Sequence, residues 1–214
     1  MKKLLGIFSV IAMLFALPAN SADVNIGFSL MTGEYETDGT ETEKTVSGVT
    51  SETNSASKSE MFYGGSLFAE YEMDNGIIVG LDWVPLDIKL GSGSRTDSSS
   101  GADVAGEADT GGRSAEANVE NLFTIYTHVP VGPVYGILGY HDADVSTTET
   151  LPTSTYGDAS INGWQYGVGW KRDNMRLEIA YSDFDSISLT STDSATQKIT
   201  ADADALAAKI SFAF

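Results

Sequence analysis

The chain has 214 residues, with 12 basic and 30 acidic side chains and no cysteine, so its formal charge at neutral pH is −18. This acidity excludes a nucleic-acid-binding role that depends on phosphate contacts. The lack of cysteine excludes disulfides and thiolate-bound metals.

The first predicted element is a secretory signal peptide at residues 1–22. A basic start is followed by an uncharged apolar run, and Pro18 then precedes small residues suited to cleavage. Cleavage after Ser21 and cleavage after Ala22 fit equally well. The alternative, an N-terminal membrane anchor, is disfavoured because the run is shorter than the roughly 20 residues that a spanning helix needs. Residues 23–214 are then predicted to form one domain.

The rest of the sequence alternates apolar and mixed side chains with a period of two, which predicts β-strands. Successive side chains of a strand point to opposite sides, so each segment has one apolar face and one mixed face. Pro85 lies inside the third segment and cannot donate to a strand ladder, so a bulge or the end of regular pairing is expected there. Eight strands are predicted, at 23–36, 60–73, 77–90, 116–129, 134–145, 161–172, 175–190 and 198–214.

The connections between these strands alternate in length. Short turns are predicted at 74–76, 130–133 and 173–174, where Asn, Asp, Gly and Pro suit tight turns. This alternation places every short turn at one end of the sheet and every long connection at the other. The long connections are rich in Ser, Thr, Gly and acidic residues and are expected to be loops, at 37–59, 91–115, 146–160 and 191–197.

The mixed faces decide between a soluble and a membrane fold. They carry charged residues among Gly and Ser, and a soluble core made of them would bury unpaired charge at high cost. A closed barrel with its apolar face toward lipid instead places them in a narrow lumen where they can pair. The sequence therefore predicts an all-β fold, an eight-stranded antiparallel up-and-down transmembrane β-barrel. The predicted lumen ion-pair residues are Glu70, Glu72, Asp82, Lys171, Arg176, Glu178 and Lys209. The predicted aromatic girdle at the membrane boundary consists of Tyr71, Trp83, Trp164 and Trp170.

Residues 23–214 resemble the small eight-stranded outer-membrane barrels, such as the OmpA transmembrane domain and OmpX. The most specific element is the final strand, in which apolar side chains alternate outward and the last residue is aromatic. The resemblance implies that the outer-membrane assembly machinery reads this strand, and that both chain termini are periplasmic. OmpW-like barrels, which the resemblance links to passage of small hydrophobic compounds, remain an alternative. The predicted assembly signal consists of Leu206, Ile210, Phe212 and Phe214.

The two histidines, His128 and His141, are the candidate catalytic bases, because some barrels of this kind are lipid A-modifying enzymes and hydrolysis needs His beside Ser and an acid. His128 is near Pro130, at the short-turn end, and no serine can be placed beside His141 from sequence. Both are expected to be partly solvated. No catalytic residue and no enzymatic activity are therefore predicted.

The expected function is non-enzymatic, a structural or surface-interaction role exerted through the acidic, Ser/Thr-rich connections. The alternative is a narrow channel for small or hydrophobic solutes, although eight strands leave an interior just wide enough for side chains. A lipid A-modifying enzyme is less favoured. The acidic residues match no calcium-loop spacing, so neither a metal nor a cofactor is predicted. Expected partners are outer-membrane lipid, lipopolysaccharide and the assembly machinery, and the barrel is expected to be monomeric.

Overall fold

The computed structural model describes residues 23–44, 50–98, 110–150, 156–192 and 197–214, and its regular elements there are β-strands. Within these ranges no helix is long and apolar enough to cross a bilayer. The predicted signal peptide lies outside the described residues and stays a prediction. The strands are β1 (Asp23–Lys44), β2 (Thr50–Glu72), β3 (Ile78–Val84), β4 (Ile88–Ser98), β5 (Thr110–Val131), β6 (Val134–Thr150), β7 (Ala159–Arg172), β8 (Met175–Thr190) and β9 (Gln197–Ala213).

The strands form one antiparallel sheet that closes on itself. β1 pairs with β2 and with β9, and β5 to β9 each pair with the next strand in chain order. β3 pairs with β2 on one side and with β5 on the other, and β4 continues the pairing along β5. β3 and β4 are thus two halves of one barrel strand, and the ring formed by the described residues has eight strands. The predicted eight-stranded up-and-down barrel is confirmed.

The break between β3 and β4 lies at residues 85–87, where the sequence places a proline. Pro85 has no N–H to donate, so regular pairing ends before it. The facing strand is irregular at the same level: the register of β5 with β6 shifts between Glu120 and Phe123, and Asn121 has a φ of 53°. The expectation of an irregularity at Pro85 is therefore confirmed.

Two of the long connections differ from the prediction. Residues 37–59 and 91–115 were expected to be loops, yet β1 and β2 pair continuously up to Lys44 and Thr50, and β4 and β5 pair up to Ser98 and Thr110. The physical reason is that ladder hydrogen bonds form between backbones, and Thr is a favourable strand residue. Once the barrel aligns the two strands, pairing continues through polar sequence. The result is two long hairpins at the end opposite the short turns.

The short turns are as predicted. Each contains one residue in the left-handed region that favours Gly, Asn and Asp: Gly76 at φ 78°, Gly132 at φ 67° and Asp173 at φ 52°. These turns join β2 to β3, β5 to β6 and β7 to β8 at the same end of the barrel.

Large apolar side chains point outward from the barrel wall and are exposed. Toward the end that carries the long hairpins, the outward positions that follow Leu206 and Tyr181 are acidic, at Asp204 and Asp183. These two positions mark the limit of the apolar surface at that end. We call it the apolar belt. It includes Ile26, Leu30, Tyr63, Leu67, Trp83, Ile125, Leu138, Val168, Ile179 and Leu206.

Candidate functional site

The lower lumen, nearest the short turns, is filled by charged side chains that pair across the barrel. Arg176 on β8 donates through both terminal nitrogens to the carboxylate of Glu70 on β2, and the two side chains are 2% and 0% exposed. Lys209 Nζ on β9 lies 3.0 Å from Asp82 Oδ2 and 3.1 Å from Glu178 Oε2. Charges at such burial require partners, and these pairs supply them.

The remaining two ion-pair candidates lie at the short-turn mouth of the lumen. Lys171 Nζ donates to Glu72 Oε2 at 2.9 Å, and the side chains are 37% and 29% exposed. Lys171 and Arg176 are register partners on β7 and β8, but they pair with two different carboxylates of β2. Lys171 pairs with Glu72, and Arg176 pairs with Glu70. The structure thus places all seven predicted residues in or at the mouth of the lumen and divides them among several pairs.

Two tyrosines complete this polar network. Tyr126 donates to Glu70 Oε1 at 2.6 Å, and Tyr135 donates to Glu178 Oε1 at 2.7 Å. Each ring lies over a glycine of the neighbouring strand. A Cβ at Gly80 would overlap the Tyr126 ring, and a Cβ at Gly169 would overlap the Tyr135 ring. The lumen glycines therefore make room for the aromatic side chains that close the lower lumen.

Both histidines are buried at 3% exposure, so the expectation that they are partly solvated is wrong. His128 packs between the rings of Tyr126 and Tyr135, with centroid distances of 4.8 and 4.4 Å. His141 forms two hydrogen bonds, through Nδ1 with Thr124 Oγ1 at 2.7 Å and through Nε2 with Ser182 Oγ at 2.9 Å. Sequence reasoning missed these partners.

The Thr124–His141–Ser182 chain combines a serine and a histidine at hydrogen-bond distance. In a Ser-His-Asp hydrolase, the histidine nitrogen that does not face the serine donates a hydrogen bond to a carboxylate. This carboxylate stabilises the charged imidazolium. Here that position is taken by the neutral hydroxyl of Thr124. In the described part of the chain, no group of three or more His, Asp or Glu side chains is arranged to hold a metal ion. This chain of side chains can donate and accept hydrogen bonds, with a hydroxyl at the position where such a hydrolase has a carboxylate.

The upper half of the lumen is apolar, which sequence reasoning did not predict. Ala143, Val145 and Ile161 form a buried cluster, and Leu90 and Phe184 pack against it. Beside this cluster lies a cavity of about 110 Å³, which we call the upper chamber. The Thr124–His141–Ser182 chain and Lys209 form its polar floor. The signal that could have revealed it is the apolar character of the inward positions at residues 143, 145 and 161.

Lys58 links β2 to β4 at the upper rim of the barrel. Its Nζ donates to the backbone oxygen of Ser92 at 3.2 Å and lies 2.6 Å from Glu60 Oε1. The hydrogen bond from Lys58 lowers the pKa of Glu60. Tyr35 donates to the same carboxylate at 3.2 Å. This rim lies above the apolar belt, and it connects two strands whose backbones are not paired there.

The predicted girdle residues and the predicted assembly signal lie on the outer face. Trp83 and Trp164 are 41% and 47% exposed, while Tyr71 and Trp170 are half-buried and closer to the short turns. The outward residues of β9 pack on β1: the Phe28 ring is 5.4 Å from that of Phe212. Leu206, Ile210, Phe212 and Phe214 alternate outward as expected.

A closed eight-stranded barrel with an apolar outer belt and paired charges inside is a transmembrane β-barrel of the outer-membrane type. No protein-family model and no curated protein matches the sequence.

Three solved structures share the general architecture. The outer-membrane protease OmpT from Escherichia coli is 10% identical, with 89% of this chain and 96% of that chain covered and a TM-score of 0.47. Neisserial surface protein A is 13% identical, with coverages of 91% and 100% and a TM-score of 0.45. Ail of Yersinia pestis, in complex with the heparin analogue sucrose octasulfate, is 10% identical, with coverages of 90% and 99% and a TM-score of 0.40. Structural similarity at these identities and TM-scores assigns no function to this chain.

Proposed function

We propose that this protein is a non-enzymatic barrel of the outer membrane of a Gram-negative bacterium, and that it acts at the cell surface through its two long hairpins. The observation that carries the proposal is the filled lower lumen. Arg176 and Glu70 are almost wholly buried and close the interior at the level of the apolar belt. With the pore closed, the two hairpins beyond the belt are surfaces that remain available to partners.

The proposed orientation is supported by the difference between the two ends of the barrel. Tight turns lie at one end and long hairpins at the other, an asymmetry that in outer-membrane barrels places the turns in the periplasm and the hairpins outside. In this orientation Asp23 and Phe214, which begin and end the described barrel, both lie at the periplasmic end. The outward apolar residues of β9 are then positioned for the assembly machinery, and the barrel sits in the membrane as a monomer.

The hairpins carry polar and acidic side chains on both faces, with Glu36 and Asp38 on one face of β1 and Glu41 on the other. Carboxylates bind hard cations such as Ca²⁺. Lipopolysaccharide is anionic, so contact between it and this acidic surface requires bridging divalent cations. Surface lipid and lipopolysaccharide are therefore the proposed neighbours of the hairpins.

The orientation can be tested by single-cysteine labelling, because the chain has no cysteine of its own. Asn54→Cys on the β1–β2 hairpin should react with a membrane-impermeant maleimide on intact cells. Asn174→Cys, in the exposed turn between β7 and β8, should react only after the outer membrane is permeabilised. Labelling of Asn174→Cys on intact cells, with Asn54→Cys protected, would reverse the proposed orientation.

The surface role can be tested by trimming a hairpin. Gly39 and Ala56 are register partners, so residues 40–55 can be replaced by an Asn-Gly turn that joins them. The trimmed barrel should still fold, seen as different gel migration of boiled and unboiled samples. In a strain that lacks the gene, the full-length chain should restore the surface property that the deletion removes. The trimmed barrel should not restore it. Full complementation by the trimmed, folded barrel would argue against a role for that hairpin.

A narrow channel for small or hydrophobic solutes is the second candidate. The apolar upper chamber favours it, because it offers space for such a solute. The paired charges below the chamber argue against passage through the whole barrel, since a solute would have to separate Arg176 from Glu70. The chamber is more consistent with a closed binding site than with a conduit.

A further inference from the structure

The upper chamber has the properties of a ligand site. Its wall is built from apolar inward side chains, among them Phe62, Val84, Ile88, Leu90, Ile161 and Phe184. Its volume of about 110 Å³ approaches that of cavities that hold a single benzene-sized ring. A small apolar molecule with one aromatic ring therefore fits the space.

The floor of the chamber selects for an uncharged ligand. The polar groups without a formal charge that line the chamber include Thr124, His141, Ser182, Gln165 and Tyr126. The charged Lys209 is held between Asp82 and Glu178 at 3.0 and 3.1 Å. A carboxylate brought beside these two acids would meet like charge in a poorly hydrated space. A hydroxyl can instead exchange hydrogen bonds with the Thr124–His141–Ser182 chain.

The wall of the barrel has a discontinuity beside this chamber. The ladder between β2 and β3 ends at the Leu67–Trp83 pair. Above that pair, in residues 50–98, which the structure describes throughout, β2 pairs only with β1 and β4 pairs only with β5. We call this unpaired boundary between β2 and β4 the seam. Lys58 crosses it by donating to the Ser92 backbone oxygen.

The seam connects the lipid side with the chamber. On its outer side lie Tyr63, Leu86 and Trp83, which are 78%, 62% and 41% exposed. On its inner side lie Phe62 and Ile88, which line the chamber. Pro85 lies at this level and has no N–H to donate to a ladder. A molecule dissolved in the membrane thus meets apolar surface on both sides of the seam.

We propose that the upper chamber binds a small, uncharged aromatic molecule with one hydrogen-bonding group, and that the molecule enters sideways from the membrane through the seam. This inference goes beyond the proposed surface role and does not depend on it, since the hairpins and the chamber use different residues.

Binding can be tested by ¹⁹F NMR on the full barrel in nanodiscs with three matched probes. 4-Fluorophenol should give a saturable shift. Fluorobenzene, which lacks the hydroxyl, should bind about fivefold more weakly, as expected for the loss of one hydrogen bond. 4-Fluorobenzoate should give no saturable shift. Binding of the benzoate as tightly as the phenol would overturn the assignment to an uncharged ligand.

Two variants locate the site. Ala205→Phe places a ring in the chamber and should abolish the saturable shift. Ser182→Ala is the gentler variant, because it removes only the hydroxyl at the floor. It should weaken 4-fluorophenol about fivefold and leave fluorobenzene unchanged. If both folded variants bind 4-fluorophenol like the wild type, the probe binds elsewhere and the chamber is not a ligand site.

The route is tested by closing the seam. Lys58→Cys with Ser92→Cys, joined by a short bifunctional thiol reagent, should slow exchange of 4-fluorophenol and leave its equilibrium affinity unchanged. Each single-cysteine variant treated with the same reagent is the control. Unchanged exchange in the cross-linked barrel would overturn lateral entry and leave entry from the outer end of the lumen.

Discussion

The lower lumen and the upper chamber occupy the same barrel and are lined by side chains of opposite character. The lower lumen is closed by ion pairs and tyrosine hydroxyls, and its buried charges each have at least one partner of opposite charge across the barrel. The upper chamber has apolar walls and lies beside the packed cluster of Ala143, Val145 and Ile161. The comparison indicates that the lower lumen provides a rigid barrier, while the upper lumen retains space for a ligand.

The largest expected effect comes from breaking the lower pair. Arg176→Ala leaves Glu70 buried without its partner, and loss of one member of a buried pair typically costs about 3–5 kcal/mol. Lys171→Ala is the matched control, because its pair with Glu72 at the mouth is partly exposed and should contribute no more than about 1 kcal/mol. Urea unfolding in detergent, followed by tryptophan fluorescence, measures both. Equal losses in the two variants would show that burial does not distinguish these pairs.

The second effect concerns the apolar cluster of the upper lumen. Ile161→Ala enlarges an enclosed space and should cost about 2–5 kcal/mol. Ile125→Ala is the control on the outer face, where Ile125 is 48% exposed and lipid can fill the space that the side chain leaves. The same unfolding measurement applies. If Ile125→Ala destabilises the barrel as much as Ile161→Ala, the upper lumen is not a packed core.

The third effect tests the fit between glycine and tyrosine in the lower lumen. Gly80→Ala places a methyl group against the Tyr126 ring and should cost about 1–3 kcal/mol through overpacking. Gly136→Ala is the control, because a Cβ at Gly136 meets no atom within 4 Å. A neutral Gly80→Ala would mean that Tyr126 can move without loosening its hydrogen bond to Glu70.

The smallest effect is expected at the exposed rim. The pKa of Glu60 is lowered by Lys58, so their interaction stabilises the folded state above the usual carboxyl range and is lost as the pH falls through the pKa of Glu60. The difference in unfolding midpoint between wild type and Glu60→Gln should thus be present at neutral pH and vanish only when the pH falls below the lowered pKa of Glu60. A difference that persists in acid would show that the charge of Glu60 is not its cause.

Much of the barrel could be predicted from local sequence. The alternation of apolar and mixed residues predicts the strands and the face on which each side chain lies. The tight-turn residues predict the short-turn end of the barrel, and Pro85 predicts the break between β3 and β4. The long hairpins gave no such signal, because strands that are polar on both faces have no apolar periodicity. Their pairing depends on the barrel that aligns them.

The pairing of site residues could be predicted only in part. The alternation along each strand is enough to place Glu70 and Arg176 in the lumen. Their pairing cannot be predicted in this way, because Glu70 lies on β2 and Arg176 on β8, across the barrel from each other. His141 and Ser182 likewise lie on β6 and β8, which are separated by β7. Such contacts depend on the curvature of the closed sheet, which no single strand encodes. The upper chamber was missed for the same reason, since its wall is assembled from most of the strands.

Single-channel recording in planar bilayers tests most directly the claim that the lower lumen is a barrier. The full barrel is inserted at neutral pH, with a general porin in the same lipid as the positive control for insertion and detection. Because Arg176 and Glu70 are almost wholly buried and paired across the interior, we expect no steady conductance on the scale of that porin. Steady, porin-like openings from the folded wild-type barrel would contradict the closed lower lumen and favour the channel function.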